Sequence, residues 1–230
     1  MPVQIPAGSR VSLDHYGDGR GLALENNQWG KQDSGANGQQ AVWYDEQSRD
    51  FGWQWNWNGG QPHKVTAYPE VMFGYKPWSR RQTLCRLQAL QSLRVDYAFN
   101  TEASGHWNAA FEVWLTNSAI ATENHITAEI MVWVARHGDI NPAGGYPTKT
   151  WPQWGISLHE GHTGQWPIYT FAFDQALFES FVDWRWFLNE LVMLGRISNA
   201  DHVTSVEFGN EIIGGQGQTR VRRFDVQFSA

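Results

Sequence analysis

TAEIMVWVAR, residues 127–136, puts Ile130, Val132 and Val134 on one side of an extended chain and Glu129, Met131 and Trp133 on the other, because strand side chains alternate with a period of two. NAAFEVWLT, residues 108–116, repeats the pattern, with Phe111, Val113 and Leu115 against Glu112 and Trp114. In SVEFGNEII, residues 205–213, Val206, Phe208 and Ile212 share a face, and Glu207, Gly209, Glu211 and Ile213 share the opposite one. The aliphatic faces predict a packed core between two sheets. The other faces carry Glu beside Trp and Met, where a plain solvent-facing strand carries Thr, Lys or Ser. That mixture suits a cleft with aromatic platforms above carboxylates; an ordinary exposed face with stray aromatics is the alternative.

Outward from these strands, clusters such as HYGDGRG, DSGANGQ, NGGQPH, RHGDINPAGG, HEGHTG and IIGGQGQ punctuate the chain. Short runs rich in Val, Ile, Phe, Trp and Tyr lie between them, the pattern of an all-β sandwich. One segment differs. From Asp174 to Ile197, apolar residues recur at helical spacing and Gly195 offers a stop, so one helix is expected against the outside of the sandwich. No linker or repeat divides residues 1–230, which are read as one domain.

The chain has 230 residues with 14 Trp, 12 Phe, 7 Tyr and 23 Gly, 41% hydrophobic and 17% charged residues. A tryptophan face matches the C–H faces of a sugar ring, so this excess with little charge suggests carbohydrate contact, although most Trp are expected in the core. Trp53, Trp55 and Trp57 alternate onto one face, where core packing and sugar stacking are both open readings. The net charge of −6 and the lack of a basic run exclude a nucleic-acid partner. No apolar stretch approaches a bilayer span, so no membrane partner is expected. The single cysteine, Cys85, permits neither an internal disulfide framework nor a cysteine metal site. His159 and His162 in HEGH do not have zinc-ligand spacing. No signal peptide follows Met1.

Two carboxyl groups across a sugar suffice to cleave a glycosidic bond. One protonates the leaving oxygen, and the other attacks the anomeric carbon or activates water; a separation of roughly 5–5.5 Å gives retention and a larger gap inversion. The acid needs a raised pKa, from burial or a neighbouring like charge. Glu129 and Glu211, flanked by apolar residues, supply such settings.

The pieces NNQWG (26–30), GWQWNW (52–57), VTAYPEVMFGY (65–75), WNAAFEVWL (107–115), AEIMVWV (128–134) with the following INPAGG loop, and SVEFGNEIIGGQGQ (205–218) occur in the order found in one known family. From about Asn26 to Phe228 the chain resembles glycoside hydrolase family 12, small β-jelly-roll endoglucanases and xyloglucanases. The resemblance implies a sandwich of two antiparallel sheets with a concave cleft, and retaining hydrolysis inside β-1,4-glucan chains through a covalent intermediate. It makes Glu129 the nucleophile and Glu211 the acid/base. It implies that Asn27 and Trp29 bind glucose on the non-reducing side, that Asn108, Met131 and Trp133 lie in the cleft near the nucleophile, and that Pro142 sits in a cleft-lining loop. Glu112 stands where the family has an Asp that supports the nucleophile, one methylene shorter. Glu207, often Gln in relatives, is either a hydrogen-bonding group of the cleft floor or a structural partner of an Arg.

No metal or organic cofactor is needed for this chemistry. The expected partner is a β-glucan polysaccharide or oligosaccharide, the expected state a monomer, and the expected location extracellular. Xyloglucan preference is an alternative within the class. A non-catalytic sugar-binding jelly roll or an expansin-like wall protein are alternatives outside it, and neither needs the paired Glu129 and Glu211.

Overall fold

The computed structural model describes residues 2–230. Two curved sheets face each other. The first runs, in spatial order, β1 (Val3–Ile5), β4 (Asn37–Tyr44), β5 (Phe51–Asn58), β16 (Ile212–Ser229), β8 (Ser92–Ala103) and β14 (Glu179–Asp183). The second runs β2 (Arg10–Ser12), β3 (Leu22–Glu25), β6 (Glu70–Gly74), β15 (His202–Gly209), β9 (His106–Thr116), β10 (Ile126–His137), β13 (Pro167–Phe173), β12 (Ile156–His162) and β11 (Lys149–Trp151), with β7 (Cys85–Arg86) also on β15. The expected jelly-roll sandwich is therefore present. Its strands pair antiparallel, except that β10 and β13 run parallel, Glu129 opposite Ile168. The start of β16 pairs with β9 in the second sheet, and its remainder lies between β5 and β8 in the first.

The alternation read from sequence sorts the core. Ile130, Val132, Val134, Phe111, Val113, Leu115, Val206, Phe208 and Ile212 are all fully buried between the sheets. Aromatic rings join the layers: Phe111 lies 4.6 Å from Phe208 and 4.9 Å from Tyr97 of the first sheet, within the range of favourable ring pairs. Trp53, Trp55 and Trp57 belong to this core, which decides their reading in favour of packing.

The helix is shorter than expected. Residues Glu179–Asp183 form β14, paired with β8, and only Trp184–Met193 is helical (α2). ESFVD alternates and adds a strand to an open sheet edge, which outweighs the helical spacing of its apolar residues. Asp183 then caps α2 by accepting the Arg185 N–H at 3.1 Å. The helix buries Trp184, Phe187, Leu188 and Leu191, and Gly195 ends it with φ 68°. A single further turn, α1 (Lys31–Ser34), follows Trp29.

Candidate active site

The outer face of the second sheet carries a row of acids. Glu25 pairs with Glu70 across β3 and β6, Glu207 with Glu112 across β15 and β9, and Glu112 with Met131 across β9 and β10. Glu129 lies two residues before Met131 on the same face. This row floors a concave cleft. Gly209 has no side chain because a Cβ there would meet the Pro69 carbonyl at 2.5 Å and the Tyr68 ring at 2.9 Å. Tyr68 is thereby laid across the floor, its hydroxyl donating to the Ala110 carbonyl at 3.0 Å.

So many buried carboxyls require a cation or protons. Lys76, buried, supplies the cation. Its Nζ lies 3.0 Å from Glu70 Oε2 and also bonds Glu207 Oε2. The Ser205 hydroxyl donates to the other Glu207 oxygen at 2.6 Å. Glu207 is thus a floor group paired with Lys76, and the Arg considered from sequence is not its partner. Burial pushes Glu70 and Glu112 well above the usual carboxylate range, and for Glu112 the charges of Glu129 and Glu207 add to it. This favours the neutral form of Glu112, whose hydrogen bond with Glu129 lowers the latter.

Glu129 and Glu211 line one cavity of about 220 Å³ with Met131, Trp133, Thr170 and Ile213. A larger depression of about 710 Å³ on the outer face of the first sheet, lined by amides of β4, β5 and β16, contains neither carboxyl. Burial raises Glu129, opposed by hydrogen bonds from Trp166 and Glu112 and by the Lys76 charge. Burial pushes Glu211 up to about 7, opposed by its hydrogen bond from Asn108 and reinforced by the negative charge of Glu129. One carboxyl thus accepts the Trp166 N–H, and the other is pushed up to about 7. Such a pair divides acid and base roles by environment.

Glu211 does not lie within a strand as its alternation predicts. β15 ends at Gly209 and β16 begins at Ile212. Asn210 turns into the core, accepting from Trp53 Nε1 and Thr219 Oγ1, both at 2.7 Å, and donating to the Asn108 carbonyl at 2.8 Å. Asn108, expected in the cleft near the nucleophile, sits against Glu211. Fully buried, it donates to Glu211 Oε2 and accepts the Glu211 N–H at 3.1 Å, so it clamps that carboxyl.

Other expected cleft residues divide. Trp29 is 62% exposed and presents a free ring face. Asn27 is buried instead, donating to Glu70 Oε1 and accepting the Trp29 N–H, both at 3.1 Å; it braces the platform. Met131 and Trp133 pack with Ala110, Ile140, Ala172 and Ile213 in a second, smaller apolar cluster under the cavity. Pro142 is buried, while Asn141 and Ala143 on either side of it line the cavity. His159 ties that loop down through the Gly145 carbonyl at 2.7 Å. Among the described residues, no His, Cys, Asp and Glu group is arranged to hold a metal ion.

Sequence reasoning missed Lys76, Glu70 and Trp166. Trp166 Nε1 donates to Glu129 Oε2 at 2.9 Å from the turn between β12 and β13. Its sequence signal is a bulky aromatic in the otherwise polar turn HTGQW; that of Lys76 is a cation two residues after the strand carrying Glu70.

An aromatic-rimmed cleft across one face of a jelly roll, with two carboxyls lining one cavity, is the arrangement of a glycoside hydrolase. The family model described as glycosyl hydrolase family 12 matches residues 20–229. The chain belongs to glycosyl hydrolase family 12, whose relatives are endoglucanases and xyloglucanases acting within β-1,4-glucans. It is 28% identical over 216 residues to Endoglucanase S of Pectobacterium parmentieri, spanning 88% of this chain and 80% of that protein. It is 26% identical to a xyloglucan-specific endo-beta-1,4-glucanase A of Emericella nidulans, spanning 84% and 80%. Among solved structures, the native family 12 xyloglucanase from Bacillus licheniformis superposes with a TM-score of 0.83 at 25% identity, all of each chain covered.

Proposed function

We propose that this protein is a retaining endo-hydrolase of β-1,4-glucan chains, with Glu129 as nucleophile, Glu211 as acid/base and Glu112 as the supporting carboxyl. The observation that carries the reading is that Glu211, clamped by Asn108, shares a cavity with a Glu129 that accepts the Trp166 N–H. Glu211 protonates the leaving oxygen as Glu129 attacks the anomeric carbon, then takes a proton from the water that releases the sugar. Trp29 stacks a glucose unit on the non-reducing side, and Trp133 and Met131 shape the cavity wall.

Early-time NMR of the products tests the stereochemistry: retention gives the β-anomer first, and an initial α-anomer rejects the nucleophile role. Glu129→Gln and Glu211→Gln are each expected to cut hydrolysis by several orders of magnitude while the fold stays intact; full activity in either removes that residue from the scheme. The second reading, preference for xyloglucan, is favoured by the names of several relatives. Reducing-end assays on xyloglucan, barley β-glucan and carboxymethyl cellulose side by side decide it. Each chain carries both carboxyls, so a monomer suffices for activity, which sizing of the active species checks. A polymeric substrate favours an extracellular site of action, which cell fractionation checks.

A further inference from the structure

Trp166 has no role among those assigned from sequence, yet its side chain donates a hydrogen bond to the proposed nucleophile. The turn that carries it is tightly organised. Thr163 Oγ1 accepts the backbone N–H groups of Gln165 and Trp166, both at 3.3 Å, the Thr163 N–H donates to the Trp166 carbonyl at 3.1 Å, and the Gly164 N–H donates to His162 Nδ1 at 2.9 Å. Pro167 fixes the chain immediately afterwards. The indole is then held edge-to-face against Trp114 at 5.4 Å and 75°, and Trp114 meets Trp78 at 5.5 Å and 77°. Trp114 is also the β9 residue directly opposite Glu129. Ring and carboxylate are therefore both fixed to the same neighbour, and Nε1 lies 2.9 Å from Glu129 Oε2.

An indole N–H is a donor only and never takes a proton at working pH. A neutral donor so placed favours the carboxylate form and cannot compete for protons. We propose that Trp166 is a positioning residue for Glu129, anchoring Oε2 and supporting the negative charge that returns to the carboxylate when the glycosyl-enzyme is hydrolysed. The inference rests on the assignment of Glu129 as nucleophile. In the first step an electron pair of the Glu129 carboxylate forms the bond to the anomeric carbon, the bond to the leaving oxygen breaks, and that oxygen takes the Glu211 proton. In the second step water attacks the same carbon, Glu211 takes a water proton, and the ester electrons return to Glu129. The indole N–H points at an oxygen where that charge develops, and a preorganised dipole needs no reorientation at that moment.

Trp166→Phe keeps the ring and removes the donor. Trp184→Phe is the control, since the buried Trp184 Nε1 has no hydrogen-bond partner and its ring belongs to α2, outside the cleft. Loss of a donor to a developing oxyanion lowers kcat by about a hundred- to a thousandfold. With Glu112 still bonding the carboxyl, the expected loss for Trp166→Phe is about ten- to a hundredfold in kcat, with KM little changed. The loss should persist on aryl β-cellobiosides with good leaving groups, for which the second step limits the rate. The acid limb of the kcat/KM profile should move to higher pH, because Glu129 loses support for its charge while Glu112, Glu207, Lys76, Glu211 and the cavity-lining His63 stay in place. Trp184→Phe should leave the acid limb where it was. A Trp166→Phe enzyme with unchanged kcat and acid limb, or one altered only in KM or Tm, overturns the proposal. Labelling of the unsubstituted enzyme by a 2-deoxy-2-fluoro cellobioside, located by peptide mass, tests Glu129 separately. Label elsewhere sinks the nucleophile assignment, and label on Glu129 with a normal Trp166→Phe variant sinks this inference alone.

Discussion

Replacing Asn108 by Ala removes the clamp on Glu211 and should move the upper limit of the activity profile. The Asn108 side chain donates to Glu211 Oε2 and accepts the Glu211 N–H at 3.1 Å. A hydrogen bond to a charged group is worth about 1.5–3 kcal/mol, and one pH unit corresponds to about 1.4 kcal/mol. Glu211 stands at about 7 with the bond in place, and the bond favours its charged form. Without it the carboxyl holds its proton more tightly, and the basic limb of kcat/KM should rise by about one to two units. That limb reports the free enzyme's general acid. The assay is initial reducing-end release from soluble barley β-glucan at low substrate across acid to alkaline pH. Activity on the acid plateau should also fall, since the carboxyl is no longer aimed, and the unpartnered Glu211 N–H should cost about 1–3 kcal/mol of stability. A basic limb that stays near its original position, or moves to lower pH, refutes the reasoning and removes the main support for Glu211 as the acid.

Stability should fall as pH rises through neutrality. Burial raises Glu70, Glu112 and Glu211, so the folded state binds more protons there than the unfolded state; this stability is present below the ordinary carboxylate range and is lost as pH rises through the folded values, about 7 for Glu211. Asp96, held low by hydrogen bonds from Arg94, and Asp45, held low by backbone N–H groups, act oppositely below the ordinary carboxylate range. Calorimetry should therefore place the highest Tm at about pH 5; a Tm still climbing from pH 6 to 8 contradicts this. Lys76→Met strips Glu70 and Glu207 of their cation and should cost about 3–5 kcal/mol in urea unfolding, partly restored by adding Glu207→Gln; an undiminished midpoint would show that protons alone neutralise the floor. Trp29→Ala should raise KM about tenfold, about 1.4 kcal/mol of lost binding, with kcat little altered, and a change confined to kcat would move Trp29 out of the platform role.

The layers of the sandwich were legible because strand alternation is a local property: every aliphatic residue assigned to the core of 127–136 and 108–116 is there. The shared face of Glu129, Met131 and Trp133 followed from the same rule. What was not legible depends on contacts distant in sequence. The 174–197 segment satisfied helical spacing throughout, but the open edge of β8 claimed Glu179–Asp183. Asn108 and Glu211 are 103 residues apart, so no spacing rule shows that one clamps the other. Lys76 and Trp166 belong to turns, where no periodicity reports the direction of a side chain. Asn210 puts a polar side chain on the apolar face, where its amide satisfies three buried partners at once.

The long strand β16 lies between β5 and β8, and its first residues are stitched to β9. β5 and β8 are joined through this segment, so that sheet cannot be assembled by adding strands in chain order. Contacts of such high sequence separation form slowly. Glu211 immediately precedes the same segment. The strand that closes the first sheet therefore also fixes where Glu211 stands beside the cavity.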